Sequence, residues 1–256
     1  MERLVVTGAV RGVGRYLCER LGGRGLTRAN TPEFVAAASG GAGADVIVHC
    51  AYDSAKSVPE ARMHAHYADT VGLTERLLAV PHRAFVFFSS VDVYARDGAL
   101  KTEADAIVAG DALTPYSCSK LVCEALVRQR ARRWLILRPV QMLGDGRRNV
   151  VARLMTGEPD RLPLTAASAL NCVLYEDVGA FVQRALERDL TGVFNLAASS
   201  NATLAEIAAA FGRTPAFGEV FYDIGVVSNQ KAAAIVPEFA RTTIENLSRQ
   251  FGMPVR

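Results

Sequence analysis

Tyr116 and Lys120 are the residues whose types and spacing most directly indicate chemistry. Because they stand four residues apart, their side chains share one face if the segment is helical. An ammonium beside a phenol favours the phenolate and lowers the pKa of the phenol, which suits the proton transfer that carbonyl reduction needs at neutral pH. Taken alone, the pair also fits an ordinary amphipathic helix with a buried tyrosine and a solvated lysine.

Two serines, Ser89 and Ser90, stand at the end of the apolar run 84–89, upstream of this pair. If the run is a strand of a parallel sheet, its carboxyl end lies where ligands bind in open α/β folds. The hydroxyl of Ser90 could then donate a hydrogen bond to a carbonyl oxygen. The alternative is that both serines cap a turn.

Three glycines near the N-terminus, Gly8, Gly12 and Gly14, fall between a predicted strand and a predicted helix. Small residues at such a turn let the backbone approach a diphosphate, and the helix N-terminus supplies N–H groups and partial positive charge. The context favours a dinucleotide site over a simple tight turn. Arg11 in this loop and Arg28 after the second strand, with no acidic residue to hold a ribose hydroxyl, slightly favour NADP over NAD, although both could be surface arginines.

The elements that must position these residues alternate between strand and helix. The predicted strands are residues 4–7, 24–28, 45–50, 84–89, 134–138 and 192–197. The predicted helices are residues 12–21, 59–78, one that Thr114 caps and that carries Tyr116, 178–187 with Asp177 as its cap, and 204–211. Such alternation predicts an α/β fold, a Rossmann-type doubly wound parallel sheet with right-handed crossovers.

The stretch between Arg28 and Asp45 is short for this fold, with only about sixteen residues between them. A helix, a strand and a second helix do not fit there, so one strand on the adenine side of the sheet is expected to be missing or merged. We expect residues 1–141 and 169–200 to form the dinucleotide-binding domain. Residues 142–168 and 201–256 are expected to form a small C-terminal substrate-binding part.

Composition excludes several other classes of function. The net charge is +3 and the basic residues are scattered, so no nucleic-acid partner is expected. The five cysteines show neither metal-ligand spacing nor a disulfide framework, and no metal site is predicted. The chain begins almost at once with a strand, and no apolar run has membrane-spanning length, so a cytoplasmic protein with no membrane partner is expected.

Together these motifs resemble the short-chain dehydrogenase/reductase family, in its extended, epimerase/dehydratase-like branch. In chain order they are Thr7-Gly8-x-x-x-Gly12-x-Gly14, Val48-His-Cys-Ala51, Ser89-Ser90-x-x-Val93-Tyr94, Pro115-Tyr116-x-x-Ser119-Lys120 and Leu137-Arg138-Pro139. Later landmarks are Tyr175-Glu-Asp177-Val178 and Gly192-Val-Phe-Asn195. The match covers most of residues 1–200.

The resemblance implies that Ser90, Tyr116 and Lys120 form a catalytic triad. The resemblance, the glycine turn and the two arginines together predict a cofactor site. Its lining residues would be Thr7, Gly8, Arg11, Gly12, Val13, Gly14, Arg28, Cys50, Ala51, Tyr52, Ser89, Tyr116, Lys120, Pro139, Val140 and Met142. Substrate contacts are expected from Val91, Asp92 and Gln141. Further polar residues expected near the cleft are Asp53, Lys56 and Arg96.

Three positions depart from the family pattern. Asp69 replaces a common asparagine, and Leu170 replaces an arginine that helps hold the diphosphate in nucleotide-sugar enzymes. Val91 stands where dehydratase relatives carry a catalytic acid, so a full dehydratase set is absent.

The expected activity is NAD(P)-dependent hydride transfer to or from a carbonyl or alcohol carbon of a sugar, with a nucleotide-linked 4-keto-sugar as the favoured substrate. Two enzymatic alternatives stay open, a nucleotide-sugar epimerase that keeps NAD bound and a non-sugar carbonyl reductase. A non-enzymatic alternative is an NAD(P)-binding sensor, although such relatives usually lose the tyrosine or the lysine. A homodimer is also expected. In relatives, the helices that correspond to 59–78 and to the Tyr116 helix form a four-helix dimer interface.

Overall fold

A computed structural model describes residues 3–38, 41, 43–53, 58–108, 110, 114–144, 149–157 and 161–255. The chain divides into two compact units. The first comprises Met1–Ala95, Ala106–Arg138 and Val182–Phe194, and the second comprises Arg96–Asp105, Pro139–Phe181 and Asn195–Arg256. This division does not test which residues bind substrate, so the substrate-binding role of 142–168 and 201–256 stays a prediction.

The strands and helices follow the expected alternation. The strands are β1 Leu4–Thr7, β2 Arg24–Leu26, β3 Ala44–His49, β4 His82–Phe88, β5 Trp134–Pro139, β6 Gln141–Leu143, β7 Ala169–Leu170, β8 Cys172–Leu174, β9 Gly192–Leu196 and β10 Ala202–Thr203. The helices are α1 Gly12–Leu21, α2 Thr31–Ala38, α3 Glu60–Tyr67, α4 Leu73–Leu78, α5 Pro115–Arg130, α6 Val150–Thr156, α7 Tyr175–Glu187, α8 Leu204–Ala210, α9 Gln230–Ala233 and α10 Thr243–Phe251.

The main sheet has six strands in the order β2-β1-β3-β4-β5-β9. The pairs that β1 forms with β2 and β3 are parallel, as are the β3–β4 and β4–β5 pairs. The predicted doubly wound sheet is therefore confirmed. Its strand order reverses between β1 and β3, and ligands bind beyond the carboxyl ends of the strands at such a switch point.

The sheet has fewer strands on its adenine side, as the short stretch between Arg28 and Asp45 predicted. Among the described residues, β2 is the one strand of this sheet outside β1, and the chain returns from it through α2 to β3. The prediction that β2 extends to Arg28 is wrong, because β2 ends at Leu26 and Arg28 lies in the turn that follows.

The buried strands explain why the sequence forms this sheet. Val46, Ile47 and Val48 are fully buried in β3, and Phe85 and Phe87 are buried in β4. Side chains alternate between the two faces of a strand, so continuous burial means that helices cover both faces. These β-branched and aromatic residues stabilise the strands that carry the glycine turn and the serine pair.

The predicted helix 59–78 is not continuous. A π-helical turn, Ala68–Gly72, separates α3 from α4. Thr70 and Thr74 donate their hydroxyls to the carbonyl oxygens of His66 and Thr70, at 2.7 and 2.8 Å. Such back-bonding competes with the regular helical ladder, and π turns recur at functional sites.

The second unit has its own apolar core around α6, α8 and α10. Two small sheets belong to it, in which β6 pairs with β8 in parallel and β7 pairs with β10 in antiparallel orientation. The prediction that Asp177 caps α7 is wrong, because α7 begins at Tyr175. Asp177 instead forms an ion pair with Arg241 at 2.5 Å within this unit. No helix in the described ranges is long and apolar enough to cross a membrane.

Candidate functional site

The glycine turn after β1 is shaped for close approach of another group. Gly8 and Gly12 have φ angles of 72° and 63°, in the left-handed region that glycine adopts at little cost. A Cβ atom on Gly14 would lie 2.5 Å from the carbonyl oxygen of Gly8, and one on Gly8 would lie 3.1 Å from the backbone nitrogen of Ala51. These glycines therefore let the turn pack tightly against its own backbone and against Ala51, which larger side chains would prevent.

The N-terminus of α1 adds positive electrostatic potential beside this turn. Arg11 precedes the helix in extended conformation without a side-chain capping bond, and the first turn holds no acidic residue. The first-turn N–H groups and the helix dipole can therefore act on a bound anion. Val13 and Gly14 are buried, while Arg11 is exposed. The turn fits the diphosphate of a dinucleotide.

A buried hydrogen-bond chain fixes the ends of β1 and β3. The Thr7 hydroxyl oxygen accepts from the backbone N–H groups of Cys50 and Ala51, at 3.1 and 3.0 Å. Its own proton is thus donated to His49 Nδ1, 2.8 Å away. Nε2 of His49 then donates to Thr74 Oγ1 at 3.0 Å, since that hydroxyl donates to Thr70. His49 is neutral with its proton on Nε2.

His49 should make the fold sensitive to acid. Burial, with a smaller effect of the Lys120 charge, lowers the His49 pKa from 6.5 to about 3. A base whose folded pKa is depressed contributes stability above its unfolded pKa, and that stability is lost as the pH falls from 6.5 toward 3. We expect this residue to lower the unfolding free energy by about 2 kcal/mol between pH 7 and pH 5.

The measurement is denaturant unfolding of the wild type and of His49→Gln at both pH values. The variant should be less stable at pH 7 and should lose about 2 kcal/mol less on acidification. An equal loss in both proteins would show that His49 does not carry the effect.

The helix that carries the Tyr-Lys pair begins where the sequence predicts. Thr114 caps α5, its hydroxyl accepting from the Ser117 N–H at 3.1 Å, and Pro115 occupies the first helical position. The Ser117 hydroxyl lies 3.1 Å from the Thr114 N–H and completes a reciprocal cap. This local chemistry fixes Tyr116 in the first turn and Lys120 one turn later.

Lys120 lies buried among aromatic rings. Its ammonium donates to the backbone oxygen of Phe88 at 2.6 Å and stands 4.1 Å from the ring centroid of Tyr52. The Tyr116 ring centroid is 5.8 Å from the ammonium and 5.6 Å from that of Tyr52. Burial lowers the Lys120 pKa to about 8, although the carboxylate of Glu124 opposes the shift. The lysine is therefore mostly charged at neutral pH.

The two neighbouring serines, Ser89 and Ser90, have different hydrogen-bond partners. The Ser90 hydroxyl accepts from the Asp92 N–H at 3.1 Å and lies 3.4 Å from the Asp92 carboxylate, so it caps the 3₁₀ turn Val91–Val93. The Ser89 hydroxyl donates to Glu124 at 2.6 Å and is buried. Both serines thus cap or brace local structure, and the side chain of Val91 is buried. This 3₁₀ turn packs against α5.

Sequence reasoning missed a buried ion pair beside these residues. Glu124 accepts from Arg138 at 2.9 and 2.6 Å, and a third nitrogen of Arg138 donates to the Tyr94 hydroxyl at 2.9 Å. Burial opposes ionisation of Glu124, but bonds from Arg138 and Ser89 outweigh it and hold the carboxyl pKa below its usual range. The spacing Lys120-x-x-x-Glu124 places these two residues on one helix face, but it does not indicate Arg138 as the partner of Glu124.

Arg28 forms an ion pair on the surface of the first unit. Its side chain is 88% exposed and forms an ion pair at 3.0 Å with Asp69, in the π-helical turn. The substitution of Asp69 for the family's asparagine thus supplies a partner for Arg28. This ion pair does not support the preference for NADP that Arg28 suggested.

The remaining predicted residues include four in the second unit. Pro139, Val140 and Met142 are buried, and the Val140 N–H donates a hydrogen bond to the backbone oxygen of Leu196 at 3.1 Å. The Gln141 side-chain nitrogen is buried and has no hydrogen-bond partner in the described parts of the chain. An unsatisfied buried amide is costly, which makes Gln141 a candidate for contact with a ligand.

The other polar candidates have protein partners. In the first unit, Asp53 lies 3.3 Å from Nδ1 of buried His66. In the second unit, the Arg96 guanidinium lies 4.5 Å from the ring centroid of Tyr222. Lys56 lies outside the described residues.

The sequence and the fold agree with one protein family. The NAD dependent epimerase/dehydratase family matches residues 4–197, well over half of the chain. The chain belongs to this family. No curated protein sequence matches it.

Several solved structures share the fold over almost the whole chain. MoeE5 in complex with UDP-glucose and NAD has a TM-score of 0.79 at 21% identity, covering 98% of this chain and 97% of that chain. UDP-glucuronic acid 4-epimerase from Bacillus cereus has a TM-score of 0.76 at 16% identity, with 98% of each chain covered. A dTDP-4-dehydrorhamnose reductase from Clostridium acetobutylicum has a TM-score of 0.77 at 17% identity, again over 98% of each chain.

Proposed function

We propose that this family member is an NAD(P)-dependent oxidoreductase or epimerase that acts on a nucleotide-linked sugar. The observation that carries the proposal is the buried Lys120 ammonium, held by the Phe88 carbonyl beside the Tyr52 and Tyr116 rings. A buried lysine near a tyrosine, in the same unit as a glycine turn that can hold a diphosphate, suits proton transfer coupled to hydride transfer.

The candidate residues have separate roles in this proposal. A bound nicotinamide supplies or accepts the hydride. Tyr116 gives a proton to the reacting oxygen or removes one from it, and the Lys120 charge stabilises the phenolate. Ser90 donates a hydrogen bond to the same oxygen, giving up a contact of 3.4 Å with Asp92 that is already long.

The cofactor is held by the glycine turn and by the backbone at Cys50 and Ala51, which the Thr7 hydroxyl fixes. We propose NAD or NADP, with Arg11 as the remaining candidate for contact with a 2′-phosphate, because Arg28 is paired with Asp69. MoeE5 and the Bacillus cereus epimerase were solved with NAD, which supports the dinucleotide.

A depression in the second unit can hold the nucleotide part of a substrate. It has a volume of about 350 Å³ and is lined by Arg153, Arg161, Leu162, Pro163, Gly218 and Glu219. The guanidinium groups of Arg153 and Arg161 can bind phosphates, and a phosphate would compete with Glu219 for Arg161, because these two side chains form an exposed ion pair at 3.4 Å. Leu170, by contrast, is buried in the apolar core of this unit. These arginines would replace the phosphate-binding role that Leu170 cannot supply.

We further propose a cytoplasmic homodimer formed through α3, α4 and α5. Val122 on α5 supports this surface, because its apolar side chain is 45% exposed. Light scattering at micromolar concentration distinguishes the dimer from a monomer.

The function is tested by two assays on the purified protein. One follows oxidation of NADPH with dTDP-4-dehydrorhamnose, and the other follows product formation from UDP-glucose and UDP-glucuronic acid with NAD. Turnover in the first assay supports a reductase, and inversion of a sugar centre without net consumption of NAD supports an epimerase. Absence of turnover in both, from protein that binds the dinucleotide, contradicts the nucleotide-sugar proposal.

A further inference from the structure

The first unit buries a complete ion pair beside the candidate catalytic residues. Arg138 and Glu124 are 3% and 4% exposed, and they meet through two parallel hydrogen bonds. Removing two charges from water is costly, and apolar residues of similar volume often serve a core equally well. Stability alone therefore gives no reason for charged groups at this place.

The contacts of the pair show what it joins. Glu124 also accepts from Ser89, the residue before Ser90. Arg138 also donates to Tyr94, the residue that follows the 3₁₀ turn that Ser90 caps. Glu124 itself lies one helical turn after Lys120. The pair thus links both ends of the segment that carries Ser90 to the helix that carries Lys120.

We infer that Glu124 and Arg138 are positioning residues, which set the placement of Ser90 relative to Tyr116 and Lys120. This inference rests on the proposed function, because it assigns the pair to the same site. Small errors in the placement of catalytic groups lower turnover strongly while substrate and cofactor still bind.

The geometry requires an arginine. Three nitrogens of the planar Arg138 group reach Glu124 twice and Tyr94 once. A lysine carries one nitrogen and cannot make the paired bonds to the carboxylate while also reaching the phenol. Arg138→Lys therefore keeps the buried positive charge but loses at least one of the three hydrogen bonds to Glu124 and Tyr94.

The chain offers a matched control in Arg128. It approaches the same Glu124 carboxylate at 3.4 Å, but its side chain is 42% exposed. Arg128→Lys makes the same chemical change on the solvent side of the same carboxylate, without touching the bond to Tyr94.

The test compares kcat, KM and NAD affinity of the wild type, Arg138→Lys and Arg128→Lys, with whichever of UDP-glucuronic acid and NAD, or dTDP-4-dehydrorhamnose and NADPH, the wild type converts. Arg138→Lys should lower kcat about ten-fold or more, with KM and the NAD dissociation constant within about three-fold. Arg128→Lys should match the wild type. Wild-type kcat in Arg138→Lys, or a parallel loss of NAD affinity and kcat, would overturn the inference.

A variant that removes both charges covers the case in which Arg138→Lys does not fold. Glu124→Gln combined with Arg138→Met leaves no unpaired buried charge, and the same pattern of lower kcat with retained NAD affinity is expected. Wild-type kcat in this folded double variant would overturn the inference. If the wild type turns over neither substrate, the proposed function fails and the inference fails with it. If Tyr116→Phe is fully active, the proposed function stands, but the role assigned to Tyr116 fails and the inference fails with that role.

Discussion

Tyr116→Phe should lower kcat by about 10²- to 10⁴-fold while the NAD dissociation constant stays within a few-fold of wild type, since general acid–base catalysis typically contributes that much. The change removes one oxygen atom and keeps the ring that lies 5.6 Å from Tyr52. The Lys120 ammonium keeps its bond to Phe88. The affinity for NAD should therefore be retained.

The matched control is Tyr16→Phe. Tyr16 lies on α1 and its hydroxyl accepts from Arg20 at 3.3 Å. Its loss should leave kcat unchanged. Turnover in Tyr116→Phe equal to that of the control would exclude the phenol as the proton donor.

Gly14→Ala should weaken NAD binding by about a hundred-fold or more. The new Cβ would lie 2.5 Å from the Gly8 oxygen and 2.8 Å from the Thr7 oxygen, and both are backbone atoms that cannot move aside alone. The turn must open, which displaces N–H groups from the diphosphate. Two lost charge-assisted hydrogen bonds, at roughly 1.5–3 kcal/mol each, account for that loss of affinity.

Gly72→Ala is the control for this substitution. Gly72 has helical φ and ψ angles, and a Cβ there would lie 3.5 Å from the Arg76 side chain, an ordinary contact. NAD affinity by calorimetry should stay at the wild-type value in Gly72→Ala. Equal affinities in the two alanine variants would show that the glycine turn does not hold the diphosphate.

Local chemistry made part of this structure predictable from the sequence. The cap at Thr114 and the proline after it determine the start of α5, because these residues satisfy the free N–H groups of the helix themselves. The apolar run in β3 and the short stretch before it likewise predicted a buried strand and a reduced sheet edge. Each of these signals lies within a few neighbouring residues.

Features that depend on contacts between distant segments were not predictable in this way. The Glu124–Arg138 pair joins a helix to a strand fourteen residues later. Arg28 binds Asp69 across 41 residues, and nothing near Arg28 in the sequence indicates that partner. The π-helical turn depends on where Thr70 and Thr74 place their hydroxyls. A periodic apolar pattern contains none of this information.

The assignment of His49 shows both effects together. An apolar strand such as β3 favours burial of its residues, and both ring nitrogens of buried His49 have hydrogen-bond partners. That Thr7 and Thr74 are its partners, and that Thr7 thereby fixes the backbone beside the glycine turn, follows only from the pairing of β1 with β3.

The most direct test of the central claim is a crystal structure of the protein with NADH bound. The diphosphate should lie on the N-terminus of α1, against Gly8, Gly12 and Gly14. The nicotinamide C4 atom should face the Ser90 and Tyr116 hydroxyls and leave room for a substrate carbon about 3–4 Å from C4, within the range of a reacting pair. A nicotinamide ring bound away from Tyr116 and Lys120, or a glycine turn that holds no diphosphate at saturating NADH, would contradict the proposal.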